Sequence, residues 1–166
     1  MSLLLVTCNT ESSRIILGQS NVPHTYSSTL FHIIFSTKER RAIIKQPDKL
    51  WAYVAGIARN LNCEALAVGG TENHLHALLR LPTNLAIAEV AQKVKANSSR
   101  WLKENGSWLG WQQGYGVFSV SASNMDAVRR YIQNQEEHHK RYSFEEEFMA
   151  LLVKSGIKVE RGEVFE

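Results

Sequence analysis

The chain has 166 residues, 44% of them apolar, 9% aromatic and 21% charged, a balance that excludes a disordered or fibrous chain and suits one globular domain. Its net charge is +3, divided into +6 over residues 1–141 and −3 over residues 142–166, which permits a polyanionic partner without demanding one. Two cysteines, Cys8 and Cys63, exclude a disulfide scaffold and a four-cysteine zinc site, and no apolar run approaches the roughly 20 residues of a membrane span, so a cytoplasmic protein with no membrane partner is expected.

Residues 1–24 read as an N-terminal extension in which Leu3–Val6 and Ile15–Leu17 could each be a short strand. From Thr29 to Phe35 the chain is continuously apolar apart from His32, as a strand covered on both faces requires. Such a strand could equally serve a sheet shared between subunits. Pro47 opens a helix whose Leu50, Val54, Ile57 and Leu61 form one apolar stripe. A second strand, Cys63–Val68, closes at Gly69-Gly70. In a third strand, His74–Leu81, alternation puts His74, His76, Leu78 and Arg80 on one face and Leu75, Ala77, Leu79 and Leu81 on the other.

A second helix spans Ile87 to Glu104, with Lys93, Arg100 and Lys103 on one outward sector. A loop rich in Trp, Gln and Gly follows, then a fourth strand over Val117–Ser121. Ser123 and Asn124 are N-cap candidates for a third helix carrying Val128, Tyr131, Ile132, Gln135 and His138. Ser143-Phe-Glu-Glu146 is a capping box for a last helix ending at Gly156. The order β-α-β-β-α-β-α-α predicts an α+β fold with an antiparallel sheet and helices packed on it.

Two sets of residues carry chemistry. His74 and His76, two apart on a strand, point the same way about 6 to 7 Å apart at the backbone, a spacing that lets both reach one divalent ion. The alternative is a pair of ordinary sheet-face histidines. Tyr131 and Gln135, at i and i+4, share a helix face. A tyrosine hydroxyl ionises only near pH 10 and needs a cation or a polarised electrophile to act as a nucleophile, and a glutamine carbonyl is a hard oxygen ligand suited to Mg²⁺ or Mn²⁺. The alternative is an amphipathic helix with a core Tyr and a solvated Gln.

In order and context, Thr29-Leu-Phe-His-Ile-Ile-Phe-Ser-Thr-Lys, Gly69-Gly-Thr-Glu-Asn-His-Leu-His, Trp111-Gln-Gln-Gly-Tyr-Gly-Val-Phe-Ser-Val-Ser and Tyr131-Ile-Gln-Asn-Gln-Glu-Glu-His-His resemble the single-tyrosine HUH transposases of bacterial and archaeal insertion sequences. The likeness spans about residues 26–158. It implies a ferredoxin-like HUH domain over 25–158, with 1–24 an extension and 159–166 a C-terminal tail. By resemblance His74, His76 and Gln135 bind the ion, Mg²⁺ or Mn²⁺. Tyr131 attacks single-stranded DNA at hairpin-bearing element ends, giving a 5′-phosphotyrosine. A homodimer is implied, in which the Tyr helix of one subunit can complete the site of the other. The runner-up functions are a host-adopted HUH endonuclease or nickase and a non-catalytic DNA-hairpin-binding protein. One departure is Asn73, where relatives often carry Asp before the first histidine.

Other residues are read more plainly. Lys93, Arg100 and Lys103, on a helix beside the site, could follow a phosphate backbone or be a solvated face. Trp108 and Trp111 could stack on bases or plug the rim of the domain. His138 and His139 read as helix C-terminal cations, not ligands. His32 reads as a hydrogen-bonded core histidine, and Cys63 as no nucleophile.

Overall fold

The computed structural model describes residues 26–107 and 110–165. The run of apolar residues at its start becomes strand β1, Leu30–Ser36, which lies inside a four-stranded antiparallel sheet of order β2-β3-β1-β4. Strands β2 (Glu64–Thr71), β3 (His74–Arg80) and β4 (Gly116–Val120) complete it. Because β1 pairs with β3 on one side and β4 on the other, its backbone groups are satisfied within the chain, and the reading of this strand as an intersubunit sheet edge does not hold. This α+β arrangement, sheet plus packed helices, is the expected fold class.

Alternation along the strands gives each sheet face its own helical layer. On one face Ile33, Phe35, Leu75, Ala77 and Leu79 pack with Leu50, Val54 and Ile57 of α1 (Pro47–Asn60) and with Val90, Val94 and Leu102 of α2 (Ile87–Glu104). Leu50, Val54, Leu75 and Leu79 have no exposed surface, and each such burial stabilises by about 1.5–3 kcal/mol. On the other face lie α3 (Met125–Gln133), α4 (Gln135–His139) and α5 (Phe144–Lys154). There Leu78 and Ala67 meet Ile132, while Ile34 and Phe118 meet Phe144 and Leu152.

Two elements depart from expectation in ways that matter for the site. Strand β2 does not stop before Gly69 but runs through both glycines to Thr71. Gly69 pairs with His76, and a Cβ there would sit 2.4 Å from the backbone oxygen of Ile132. Glycine is therefore what lets α3 descend onto the sheet beside the histidine strand. The single helix expected through His138 is broken at Asn134 (φ −103°, ψ 23°) into α3 and α4. Asparagine is a weak helix former whose side chain competes for backbone hydrogen bonds, and the break re-aims Gln135, which is buried.

Helix α5 begins at the capping box, with Ser143 and Glu146 exchanging hydrogen bonds. The segment 159–166 includes a short helix α6, Arg161–Val164, and Val164 and Phe165 pack against the Phe144–Phe148 cluster.

Candidate active site

His74 and His76 project from β3 on the face covered by α3–α5, and both are fully buried. Strand alternation alone puts them there together, and the rings stand 5.0 Å apart between centroids. Gln135 arrives from the start of α4 with its Oε1 3.1 Å from His74 Nε2. Tyr131 comes from the last turns of α3, its ring centroid 6.0 Å from that of His76. The four residues singled out in the sequence thus converge within one chain.

Two further residues join them. Glu147, on α5, accepts a hydrogen bond from the Tyr131 hydroxyl at Oε1 and another from Gln135 Nε2 (2.9 Å) at the same oxygen. Its Oε2 lies 3.1 Å from His139 Nε2 and 3.3 Å from His76 Nε2. His139, read from sequence as a capping cation, instead turns inward: four residues after Gln135 on α4, it shares that residue's face, and its Nε2 lies 3.0 Å from Gln135 Oε1. One donor atom from each of His74, His76, His139 and Glu147 fits within a 4.8 Å span.

The tautomers test whether a cation fits. The Tyr142 carbonyl, 2.8 Å from His139 Nδ1, can only accept, so that nitrogen carries the proton and in the neutral ring Nε2 presents a lone pair. That lone pair faces Gln135 Oε1 and a Glu147 oxygen, which are themselves acceptors. His74 Nδ1 likewise faces Asn73 Oδ1 at 2.7 Å, leaving its Nε2 lone pair toward Gln135 Oε1. His76 Nδ1 pairs with His32 Nε2 at 2.9 Å, whereas its buried Nε2, though close to Glu147, makes no hydrogen bond. Acceptors facing acceptors repel unless a positive charge sits among them, and imidazole, carboxylate and amide oxygen are competent ligands for a divalent ion. The donor set fits a metal.

The electrostatics agree. Burial, then the neighbouring His76, pulls His74 down to about 3, and the same two causes bring His32 to about 3, so both are neutral near pH 7. Burial would push Glu147 up, but hydrogen bonding with His139 and the nearby His76 outweigh it and hold the carboxyl below the ordinary range. Burial would lower His139, yet the hydrogen bond that a protonated Nε2 gives Glu147, and that carboxylate's charge, raise it, so a proton and a metal cation compete for the same lone pair. Burial and the bond to Glu147 both push the Tyr131 hydroxyl above its usual value, so it rests protonated.

His32 is buried against His76 and serves as its hydrogen-bond partner. Cys63 is buried and burial pushes its thiol up, which suits a packing residue. Trp111 stacks edge-on against Phe35 and donates to Ser98 Oγ at 2.8 Å, so it plugs the rim rather than offering a free face; Trp108 lies outside the described residues. The basic sector needs a correction of place. Lys93, Arg100 and Lys103 are exposed, but α2 covers the sheet face opposite to the histidines, so they are not beside the site, and Lys93 pairs with Glu89 at 2.6 Å.

A family profile described as "Transposase IS200 like" matches residues 25–135. The chain belongs to the IS200-like transposase family, and it is an enzyme of the transposase class. It is 27% identical over 134 residues to the transposase for insertion sequence element IS200 of Salmonella typhimurium, covering 74% of this chain and 86% of that one, and matches the Salmonella typhi protein to the same extent. Two solved structures share the fold. One is a transposase structure from Deinococcus radiodurans R1 (TM-score 0.56, 22% identity, 69% of this chain and 95% of that one). The other is a REP-associated tyrosine transposase bound to a REP hairpin (TM-score 0.56, 14% identity, 73% and 74%). Among the described residues of this IS200-like protein, no helix is long and apolar enough to cross a membrane.

Glu147 escaped the sequence reading, although a signal exists: it occupies the apolar stripe of α5 between Phe144 and Leu151, where a solvated carboxylate has no place.

Proposed function

We propose that this transposase cleaves and rejoins single-stranded DNA at hairpin-bearing element ends, with Tyr131 as the nucleophile. The observation that carries the reading is the meeting of Tyr131 with His74, His76 and Gln135 in one buried centre. Tyr131 attacks the scissile phosphorus, the bond to the 3′ oxygen breaks, and a 5′-phosphotyrosine and a free 3′-OH result. The 3′-OH of another strand later reverses the step, so the phosphodiester energy is kept in the covalent bond. His74, His76 and Gln135 would hold a divalent cation, Mg²⁺ or Mn²⁺, which when bound neutralises charge on the phosphate.

The remaining residues position the strand. A groove of about 470 Å³ between α3 and α5, lined by Val128, Tyr131, His138, Tyr142, Glu147 and Leu151, leads to the nucleophile. Its apolar floor with aromatic walls suits an unpaired base. Lys93, Arg100 and Lys103, on the far layer, would follow the phosphates of the hairpin stem. A protein known to bind a REP hairpin shares this fold, which supports hairpin DNA as the partner. Each chain holds a complete centre, so a homodimer would bring two equivalent centres together; sedimentation with and without DNA checks it. Residues 25–158 would form the one catalytic domain, and work on DNA fits a cytoplasmic location.

The test is to incubate the protein with Mn²⁺ and single-stranded hairpin oligonucleotides and map any adduct by mass spectrometry. A peptide containing Tyr131 linked to a 5′ phosphate is expected, absent from Tyr131→Phe. An adduct that survives in Tyr131→Phe ends the assignment.

A further inference from the structure

Glu147 and His139 lie beyond the segment that the family profile matches, which ends at residue 135, yet both point into the centre. The two oxygens of Glu147 face different groups. Oε1 takes the hydroxyl of Tyr131 and the amide of Gln135. Oε2 faces Nε2 of His139 and the orphaned, fully buried Nε2 of His76. The carboxylate therefore stands between the nucleophile and the imidazole lone pairs. Isolated carboxylates are costly to bury, and Glu147 is 4% exposed and, among the described residues, pairs with histidines but with no Lys or Arg.

We propose that Glu147 is a further catalytic residue with two simultaneous roles: Oε1 accepts the proton of Tyr131 during attack, and Oε2, with His139, completes the ligand set of the cation. This rests on the function proposed above. As the Tyr131 oxygen bonds to phosphorus, its proton becomes strongly acidic, so a carboxylate already hydrogen-bonded to it is base enough despite being a weak one. One bond forms between the phenolic oxygen and phosphorus and one breaks between phosphorus and the 3′ oxygen. The phenolic proton passes to Glu147, and the departing 3′ oxygen takes a proton from solvent. In the reverse step Glu147 returns its proton to Tyr131 as the incoming 3′-OH releases its own to solvent. His138, the other titratable group at this end, packs its ring 5.2 Å from that of Tyr131, and its Nε2 is 3.7 Å from Glu147 Oε1 without a hydrogen bond. It is placed less well to take the proton.

A set of three imidazoles, a carboxylate and an amide oxygen also has a preference. Nitrogen donors favour Mn²⁺ and later transition ions over Mg²⁺, so Mn²⁺ should bind more tightly than Mg²⁺.

Two measurements on the full chain separate the roles: Mn²⁺ affinity by electron paramagnetic resonance, and the single-turnover rate of Tyr131–DNA adduct formation with Mn²⁺ saturating. The variants are Glu147→Gln, close to isosteric, and His139→Ala, with melting curves to show that each folds. Both should weaken Mn²⁺ binding by at least the roughly 10- to 100-fold that even changes around a ligand cause. At saturating Mn²⁺, His139→Ala should regain most of the rate it loses at limiting Mn²⁺, whereas Glu147→Gln should stay slow by about 10²–10⁴-fold at any Mn²⁺ concentration, the usual contribution of a general base. Wild-type rate in saturated Glu147→Gln overturns the proton-acceptor role, and unchanged Mn²⁺ affinity in both variants overturns the ligand role. Failure of the underlying reading looks different, because His74→Ala would then leave Mn²⁺ binding intact or Tyr131→Phe would still form adduct.

Discussion

Tyr131 and Glu147, sixteen residues apart and on different helices, are joined by a hydrogen bond from the phenol to the carboxylate. The bond ties α3 to α5 across the buried centre and holds the Tyr131 ring next to the histidines. Hydrogen bonds to charged acceptors contribute about 1.5–3 kcal/mol. Tyr131→Phe should therefore lose that much stability in urea unfolding while keeping its circular dichroism spectrum. Unchanged stability would show that the bond is not formed in solution.

Acid should weaken the ion-free protein. His32 and His74 have values of about 3 in the fold against about 6.5 in the unfolded chain. Between those values the unfolded state binds more protons, so stability is level above about pH 6.5 and falls as pH drops toward 3. From about pH 7 to about pH 5 each histidine should cost about 2 kcal/mol. His139, raised in the fold, offsets part of this only at the upper end, because its contribution to the folded state is complete below about pH 6.5 and is lost as pH rises above that. Unfolding in the presence of a chelator at the two pH values measures the net loss, and His32→Gln should make the slope shallower. Equal stability at both values contradicts the assignment of neutral buried imidazoles.

Gly69 carries a steric prediction. With a Cβ placed 2.4 Å from the Ile132 oxygen, Gly69→Ala must push the end of α3 away from the sheet. Overpacking of this kind costs about 1–3 kcal/mol. Because Tyr131 is the residue before Ile132, a shift near 1 Å should slow adduct formation by about 10²-fold. A variant as fast as wild type would mean that α3 need not approach so closely.

Asn73 fixes the His74 ring through Nδ1, and Thr71 Oγ1 donates to the same Asn73 oxygen at 3.0 Å. Asn73→Ala should weaken Mn²⁺ binding by about 10–100-fold, and Asn73→Asp should preserve it, since either acceptor selects the same tautomer. Calorimetric titration of the two variants decides this.

Much of this was readable beforehand. The limits of α2, Ile87 to Glu104, follow from its apolar stripe and the Asn105-Gly106 stop. The shared face of His74 and His76 follows from strand alternation. What sequence could not supply was relative placement. The periodicity of α2 says which side of the helix is buried but not which face of the sheet it covers, so Lys93, Arg100 and Lys103 were put near the wrong layer. His139 looked like a helix-end cation because its partner, Glu147, belongs to the next helix. Asn134 broke a helix that i, i+4 counting had carried straight through.

The groups of this centre come from β3, α3, α4 and α5 of one polypeptide. On the function proposed above, a mixture of Tyr131→Phe protein with His74→Ala protein should therefore yield no rescued adduct, and rescue would show that two copies trade the helix that carries Tyr131.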